Sequence, residues 1–322
     1  MARKDWFSAS WSAIGTVFLL MRRFLSMRKT TQYYRIADFI IAIQGDESIF
    51  TQLPNFAPFR VDETDETKMF IIRVSDESIP SNEHLQSVYT DRSDDDMPRI
   101  EIYENEQTTV FAVSQYRDTE VVCAIHCTKD MREAILYTSK PYFRFAIDNA
   151  TMLLYAFCST PHKTLLFHSS VTVKDGLAYM FLGYSGTGKS THSRQWLAAY
   201  PQAWLLNDDN PIVRILPDGI VRVYGSPWSG KTPCYKAESA PVQALVQLAQ
   251  APQNSIERLR MTHAYPYILA SVSGLKTQPN AMDNLYESIA ELLEAVPVYK
   301  LECLPNEEAA HVCYEACRPI GG

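Results

Sequence analysis

The stretch LAYMFLGYSGTGKST, residues 177–191, decides how this chain is read. Tyr179, Met180, Phe181 and Leu182 form a β-rich run that leads straight into a glycine-rich loop. Residues 183–190 satisfy the pattern G-x-x-x-x-G-K-S/T, and a helix is expected from Lys189 to about residue 199, stopped by Pro201. Glycines at 183, 186 and 188 let backbone N–H groups curl around a phosphate without Cβ clashes. The helix start adds unpaired donors and a partial positive charge. The loop of Gly183, Tyr184, Ser185, Gly186, Thr187, Gly188, Lys189, Ser190 and Thr191 is therefore the expected cradle for a purine nucleoside triphosphate, ATP, together with Mg²⁺. Lys189 is expected at the β and γ phosphates, and the Ser190 hydroxyl at Mg²⁺.

Outward from the loop, the pattern alternates strands and helices. Residues 165–173 and 177–182 read as two strands joined by Lys174-Asp175-Gly176, a hairpin signal. A strand is expected at 203–206 and a second hairpin at 212–216 and 220–224, around Pro217-Asp218-Gly219. Residues 242–250 fit strand or helix, 282–293 a helix, 298–301 a strand and 306–317 a last helix. Asp208 and Asp209 fall just past the strand 203–206, where phosphoryl transfer needs one carboxylate on the metal and another near the acceptor proton. The run from Asn207 to Pro211 is also a good turn sequence. His168 lies in a strand antiparallel to the loop strand.

Residues 225–232, GSPWSGKT, match the same phosphate-loop pattern. Pro227 and Trp228 stiffen this loop and fill the space a phosphate would need, and Pro233 and Pro241 leave no room for a helix. It is not a second cradle. Lys231 reads either as a second cation for the transferring phosphate or as a surface lysine.

The N-terminal half reads differently. Residues 36–43, 69–74, 99–103, 109–115 and 120–127 are β-rich runs separated by polar turns, and 142–158 has helical spacing. The acidic stretch 91–96 lacks the glycine and final glutamate of a calcium loop. Cys123 and Cys127 fall on one strand face and His126 on the other, which argues against a shared metal. The expected organisation is a leader at 1–30, a mostly-β domain with a bridging helix at 31–160, and an α/β domain at 161–322. The apolar run 11–21 is too short to span a bilayer, so no integral membrane span is expected and a cytoplasmic location is. Seven scattered cysteines fit reduced thiols. A net charge of −7 leaves no excess of cations for broad nucleic-acid binding.

FHSS at 167–170, GYSGTGKST at 183–191, LNDD at 206–209 and YGSPWSGK at 224–231 together resemble the HPr kinase/phosphorylase-related family. The resemblance covers about residues 165–317. It implies a phosphoenolpyruvate-carboxykinase-like P-loop core with a mixed sheet and flanking helices. It also implies that His168 orients or tunes Asp208, that Asp208 is the base toward an acceptor hydroxyl, and that Asp209 joins Ser190 at Mg²⁺. The family's E-x-R-G signature reads Arg222-Val223-Tyr224-Gly225 here, and Thr191 stands where the family has Glu. HPr is consequently not the expected substrate. The GSPW loop is similar to that of relatives acting on small molecules or modified peptides.

The function so implied is an ATP-dependent kinase acting on a hydroxyl of a small molecule or of a peptide or protein serine. A carboxykinase and a non-catalytic nucleotide switch are the alternatives. The first needs a longer chain with a Lys and His pair for a transition metal and an arginine clamp. The second needs the loop and only one metal ligand, whereas two adjacent acids are present.

Overall fold

The turn at Asp175 and Gly176, with φ of 54° and 76°, has the left-handed geometry that suits a two-residue hairpin. The chain is seen in a computed structural model that describes residues 29–90, 98–115, 120–230, 232–273 and 279–319, with backbone only at 279–281. The expected leader up to residue 28, the acidic stretch 91–96 and Lys231 lie outside the described residues. The fold is mixed α/β with two large mixed sheets.

The first sheet is built from β1 (Lys29–Ile36), β2 (Phe39–Asp46), β3 (Arg60–Val61), β4 (Lys68–Ser75), β5 (Gln86–Thr90), β6 (Arg99–Glu104), β7 (Thr108–Ser114), β8 (Val121–Thr128) and β9 (Glu133–Thr138). Its order is β3-β1-β2-β4-β9-β8-β7-β6-β5. The run expected as one strand at 36–43 is instead a hairpin that turns at Ala37 and Asp38, both at positive φ (44° and 67°). No glycine marks this turn. Contacts with the second sheet hold it: Arg214 donates to the Ala37 carbonyl at 2.9 Å and to Asp38 at 2.6 Å, and the Tyr224 hydroxyl donates to Asp38 at 2.9 Å. Cys123 and Cys127 belong to the buried core, while His126 stacks edge-on against Tyr137 on the other face.

Helix α1 (Phe143–Ser159) packs its apolar face on this first sheet. It leads to β10 (Thr164–Phe167), β11 (Ser169–Lys174), β12 (Leu177–Leu182), β13 (Trp204–Asp209), β14 (Ile212–Ile215), β15 (Val221–Tyr224), β16 (Ser239–Gln250), β17 (Ser255–Arg258), β18 (Val272–Ser273) and β19 (Val298–Cys303). These form the second sheet, in the order β13-β11-β12-β16-β15-β14-β10-β18, with β19 beside β16 and β17 beside β19. The expected single strand at 165–173 is thus two strands. β10 pairs with β14 and β18, β11 pairs with β12 and β13, and His168 is the one residue between them. The ambiguous run 242–250 is strand, and β16 lies parallel to both β12 and β19. Parallel strands need both faces covered. Helices α2 (Lys189–Ala199) and α5 (Glu307–Cys317) cover one face, around Trp196, Leu301 and Cys313. α3 (Met261–Ser271) and α4 (Pro279–Ala295) cover the other, around Ile268, Ile289 and Leu245.

Candidate phosphate site

The glycine-rich loop lies between β12 and α2, as its pattern requires. Gly183, Gly186 and Gly188 all have positive φ (148°, 80° and 108°). Gly188 is the N-cap of α2 and supplies no side-chain cap, so the helix start is not closed by the chain's own polar groups. Open space lies where a Cβ at 186 or 188 would sit, so the glycines there serve the backbone conformation rather than clearance. Thr187 braces the loop from within, its amide and hydroxyl both donating to the Tyr184 carbonyl. These features fit an anion cradle.

Lys189 turns back under the loop. Its Nζ donates to the Gly183 carbonyl at 2.8 Å and the Tyr184 carbonyl at 3.3 Å, and it lies 2.9 Å from Nε2 of His168. Burial lowers the Lys189 ammonium from its ordinary pKa, and Asp209 and Asp208 pull it back up. The other nitrogen of His168, Nδ1, lies 3.0 Å from Oδ1 of Asp209. The assignment that satisfies all three groups puts the ring proton on Nδ1, donating to Asp209, with Nε2 accepting from Lys189. The backbone amide of His168 donates to the Ser271 carbonyl at 2.7 Å, which pins the junction between β10 and β11.

Two expectations about the acids need correction. Asp208 and Asp209 are the last two residues of β13, not a turn beyond it. His168 contacts Asp209 rather than Asp208, because Ser169, its neighbour, pairs with Asp209 across the β11–β13 ladder. Asp208 is only 5% exposed, and no described residue donates a hydrogen bond to its carboxylate. Asp209 is 30% exposed at its side chain, and Ser190, in the first turn of α2, is exposed as well.

Asn207 is a residue whose part the motif alone did not reveal. Fully buried, its Oδ1 accepts from the amides of Asp209 at 3.0 Å and Asn210 at 2.9 Å. Its Nδ2 donates to Ser226 Oγ at 3.2 Å and to the Trp228 carbonyl at 3.1 Å. The backbone of the Asp pair and the second glycine loop are thereby tied to one side chain. That loop also lies along β13 directly: the Gly230 amide donates to the Asp208 carbonyl at 2.9 Å, and Ser229 bridges to Asp209.

The second loop is no cradle. Trp228 is buried, stacked edge-on against Tyr155 at 5.4 Å, and its Nε1 donates to Thr151 of α1 at 3.1 Å. Asn55 donates both to the Pro227 carbonyl at 3.0 Å and to Asp148 at 2.9 Å. The loop therefore spans from the first sheet's core to the acids. A Cβ at Gly225 would meet the Lys236 carbonyl at 2.1 Å, so the close approach of two backbones explains that glycine.

Among the described residues no group of three or more His, Cys, Asp or Glu forms a ready-made metal cage. Mg²⁺ in phosphoryl transfer is held by one or two protein oxygens and the phosphates themselves, so a hydroxyl and a carboxylate at the loop mouth fit that role. Among the described residues no helix is long and apolar enough to cross a membrane. No known family model matches the chain. No curated protein matches it significantly either.

Proposed function

We propose that the chain is an ATP- and Mg²⁺-dependent phosphotransferase acting on a hydroxyl, built on a phosphoenolpyruvate-carboxykinase-like P-loop core. The observation that carries the reading is the convergence of Lys189, His168 and Asp209 at the mouth of a glycine loop with an uncapped helix start. A loop that only held a nucleotide has no use for a second carboxylate beside it.

In this reading the loop amides and Lys189 hold the phosphates and neutralise charge that grows at transfer. Ser190 and Asp209 are the residues that would hold Mg²⁺, which when bound would supply Lewis-acid stabilisation of the phosphoryl oxygens. His168 fixes the orientation of the Asp209 carboxylate, the outer-shell part that a histidine and a carboxylate commonly play for each other. Asp208, whose carboxylate accepts from no described residue, takes the proton from the acceptor hydroxyl. The backbone of the 225–230 loop, held against Asp208 by Gly230, forms the wall on that side.

The test is incubation of the full chain with γ-labelled ATP, Mg²⁺ and a fractionated lysate. Label on a hydroxyl of an acceptor, absent with Lys189→Ala, supports the kinase. Nucleotide binding without any labelled acceptor and without dependence on Asp208 makes the protein a nucleotide switch instead.

A further inference from the structure

A cavity of about 260 Å³ opens where the first sheet meets the second. The first sheet gives it Arg35, Ala37, Asp38 and Arg60, and the second gives it Gly225 and Glu238. Ala37 and Asp38 form the turn that holds positive φ without a glycine. Backbone strain of this kind persists only where its surroundings over-determine it, and it gathers at ligand clamps. Gly225 and Glu238 stand at the two ends of the second glycine loop, joined where the Gly225 amide donates to the Glu238 carbonyl at 2.9 Å. The cavity thus lies at the foot of the loop whose Gly230 amide reaches Asp208.

We propose that this cavity binds a small amino acid as its zwitterion, with the carboxylate on Arg60 and the ammonium on Glu238. Four charged residues line the cavity, two of each sign. One of each sign is already engaged. Arg35 donates to both carboxylate oxygens of Glu66, at 3.0 and 2.5 Å, and Asp38 accepts from Arg214 and Tyr224. Arg60 and Glu238 are exposed, and neither side chain has a hydrogen-bond or ion-pair partner among the described residues. A plain anion would gain Arg60 and be repelled by Glu238, and a plain cation would meet the reverse. A molecule carrying both charges satisfies both. The guanidinium fork suits a carboxylate, which it grips with two parallel N–H donors. The volume lies just under the roughly 300–1,000 Å³ of common ligand pockets, so it suits a metabolite smaller than a nucleotide. Such an occupant touches both sheets and both ends of the loop.

Binding here needs no nucleotide, so it is measured without one, and its outcome is independent of phosphoryl transfer. The full chain is screened by thermal shift against the standard L-amino acids, β-alanine and γ-aminobutyrate, and the best probe is taken to calorimetry. At least one is expected to raise the melting temperature. The amine and carboxylic acid analogues of that probe, each with one charge removed, are expected to bind about tenfold or more weakly. Arg60→Ala and Glu238→Gln change exposed side chains, so the free variants should melt like wild type. Each is expected to weaken the zwitterion by about tenfold or more. No shift with any amino acid, a one-charge analogue that binds as well as its parent, or unaltered affinity in either variant overturns the inference. Inorganic phosphate is the last probe. If it binds through Arg60 more tightly than every amino acid, this is an anion site and the inference fails as well.

Discussion

His168 and Asp209 are joined through Nδ1 and Oδ1 at 3.0 Å, so the histidine serves the second acid of the pair and not the first. Its variants should therefore resemble those of Asp209. His168→Ala is expected to lower kcat by ~10–100-fold and to raise the Mg²⁺ concentration needed for half-maximal turnover. Asp209→Asn is expected to raise that Mg²⁺ requirement further. A magnesium titration of turnover checks both, and an unchanged requirement in His168→Ala removes the assigned role.

Asp208 is separated from this pattern by having no described donor. Asp208→Asn is expected to bind ATP-Mg²⁺ like wild type and to lose transfer by ~10²-fold or more, as loss of a general base does. Calorimetry with ATP and single-turnover transfer, run on the same preparation, separate the two effects.

Asn207 holds two amides of the acid-bearing segment and two groups of the neighbouring loop. Asn207→Ala leaves those partners buried without it, a cost of about 2–4 kcal/mol in stability. Asn207→Asp loses the donor and sets a buried carboxylate against the Trp228 carbonyl, so it should melt no higher than Ala and turn over more slowly than wild type. Equal melting temperatures for all three would mean that the four hydrogen bonds contribute nothing.

Trp228 separates packing from hydrogen bonding at the join between the two sheets. Trp228→Phe loses the bond to Thr151 and should cost about 1 kcal/mol. Trp228→Ala also opens a cavity beside Tyr155 and should cost about 3–5 kcal/mol. Denaturant unfolding measures both. Because the same loop lines the acids, the Ala variant should slow transfer as well.

Half-buried Asp148 and buried His192 oppose each other in acid. Burial raises the Asp148 carboxyl to about 6, against the donors Asn55 and Arg144. A raised carboxyl stabilises the fold at low pH, and this contribution is lost as pH climbs from about 4 through 6. Burial lowers His192 to about 4. A lowered histidine works the other way, its stabilisation present above about 6.5 and lost as pH falls toward 4. Each is worth on the order of 3 kcal/mol, so in wild type the two largely cancel. Asp148→Asn uncovers the histidine term, and its stability should fall more steeply than that of wild type between pH 6.5 and 4. Denaturant melts across that range read the difference in slope.

The glycine loop, its flanking strand and helix, and the glycine-marked hairpin at Asp175 and Gly176 were legible in the sequence, because each depends on local backbone chemistry. The hairpin at Ala37 and Asp38 was not. Aspartate tolerates positive φ but alanine does not favour it, and the help at Ala37 comes from Arg214, with Tyr224 holding Asp38, both distant in sequence. The break at His168 was hidden for a related reason. Leu165, Leu166 and Phe167 run into Ser169–Lys174 without any breaker, and only the pairing of the two segments with different strands divides them. The residue type of the acids was legible, but which acid meets His168 depends on ladder register, which no local pattern carries.

The joint at His168 has a length of one residue, and the strands on its two sides lie far apart in the order of the sheet. One side holds the glycine loop and the acids, and the other meets the hairpin that receives the first sheet. Here the count is fixed: one residue more or fewer between Phe167 and Ser169 would carry the imidazole away from Lys189 and Asp209 while leaving every strand intact. Chain length at that single point, more than the identity of the surrounding apolar residues, is what the site's assembly cannot give up.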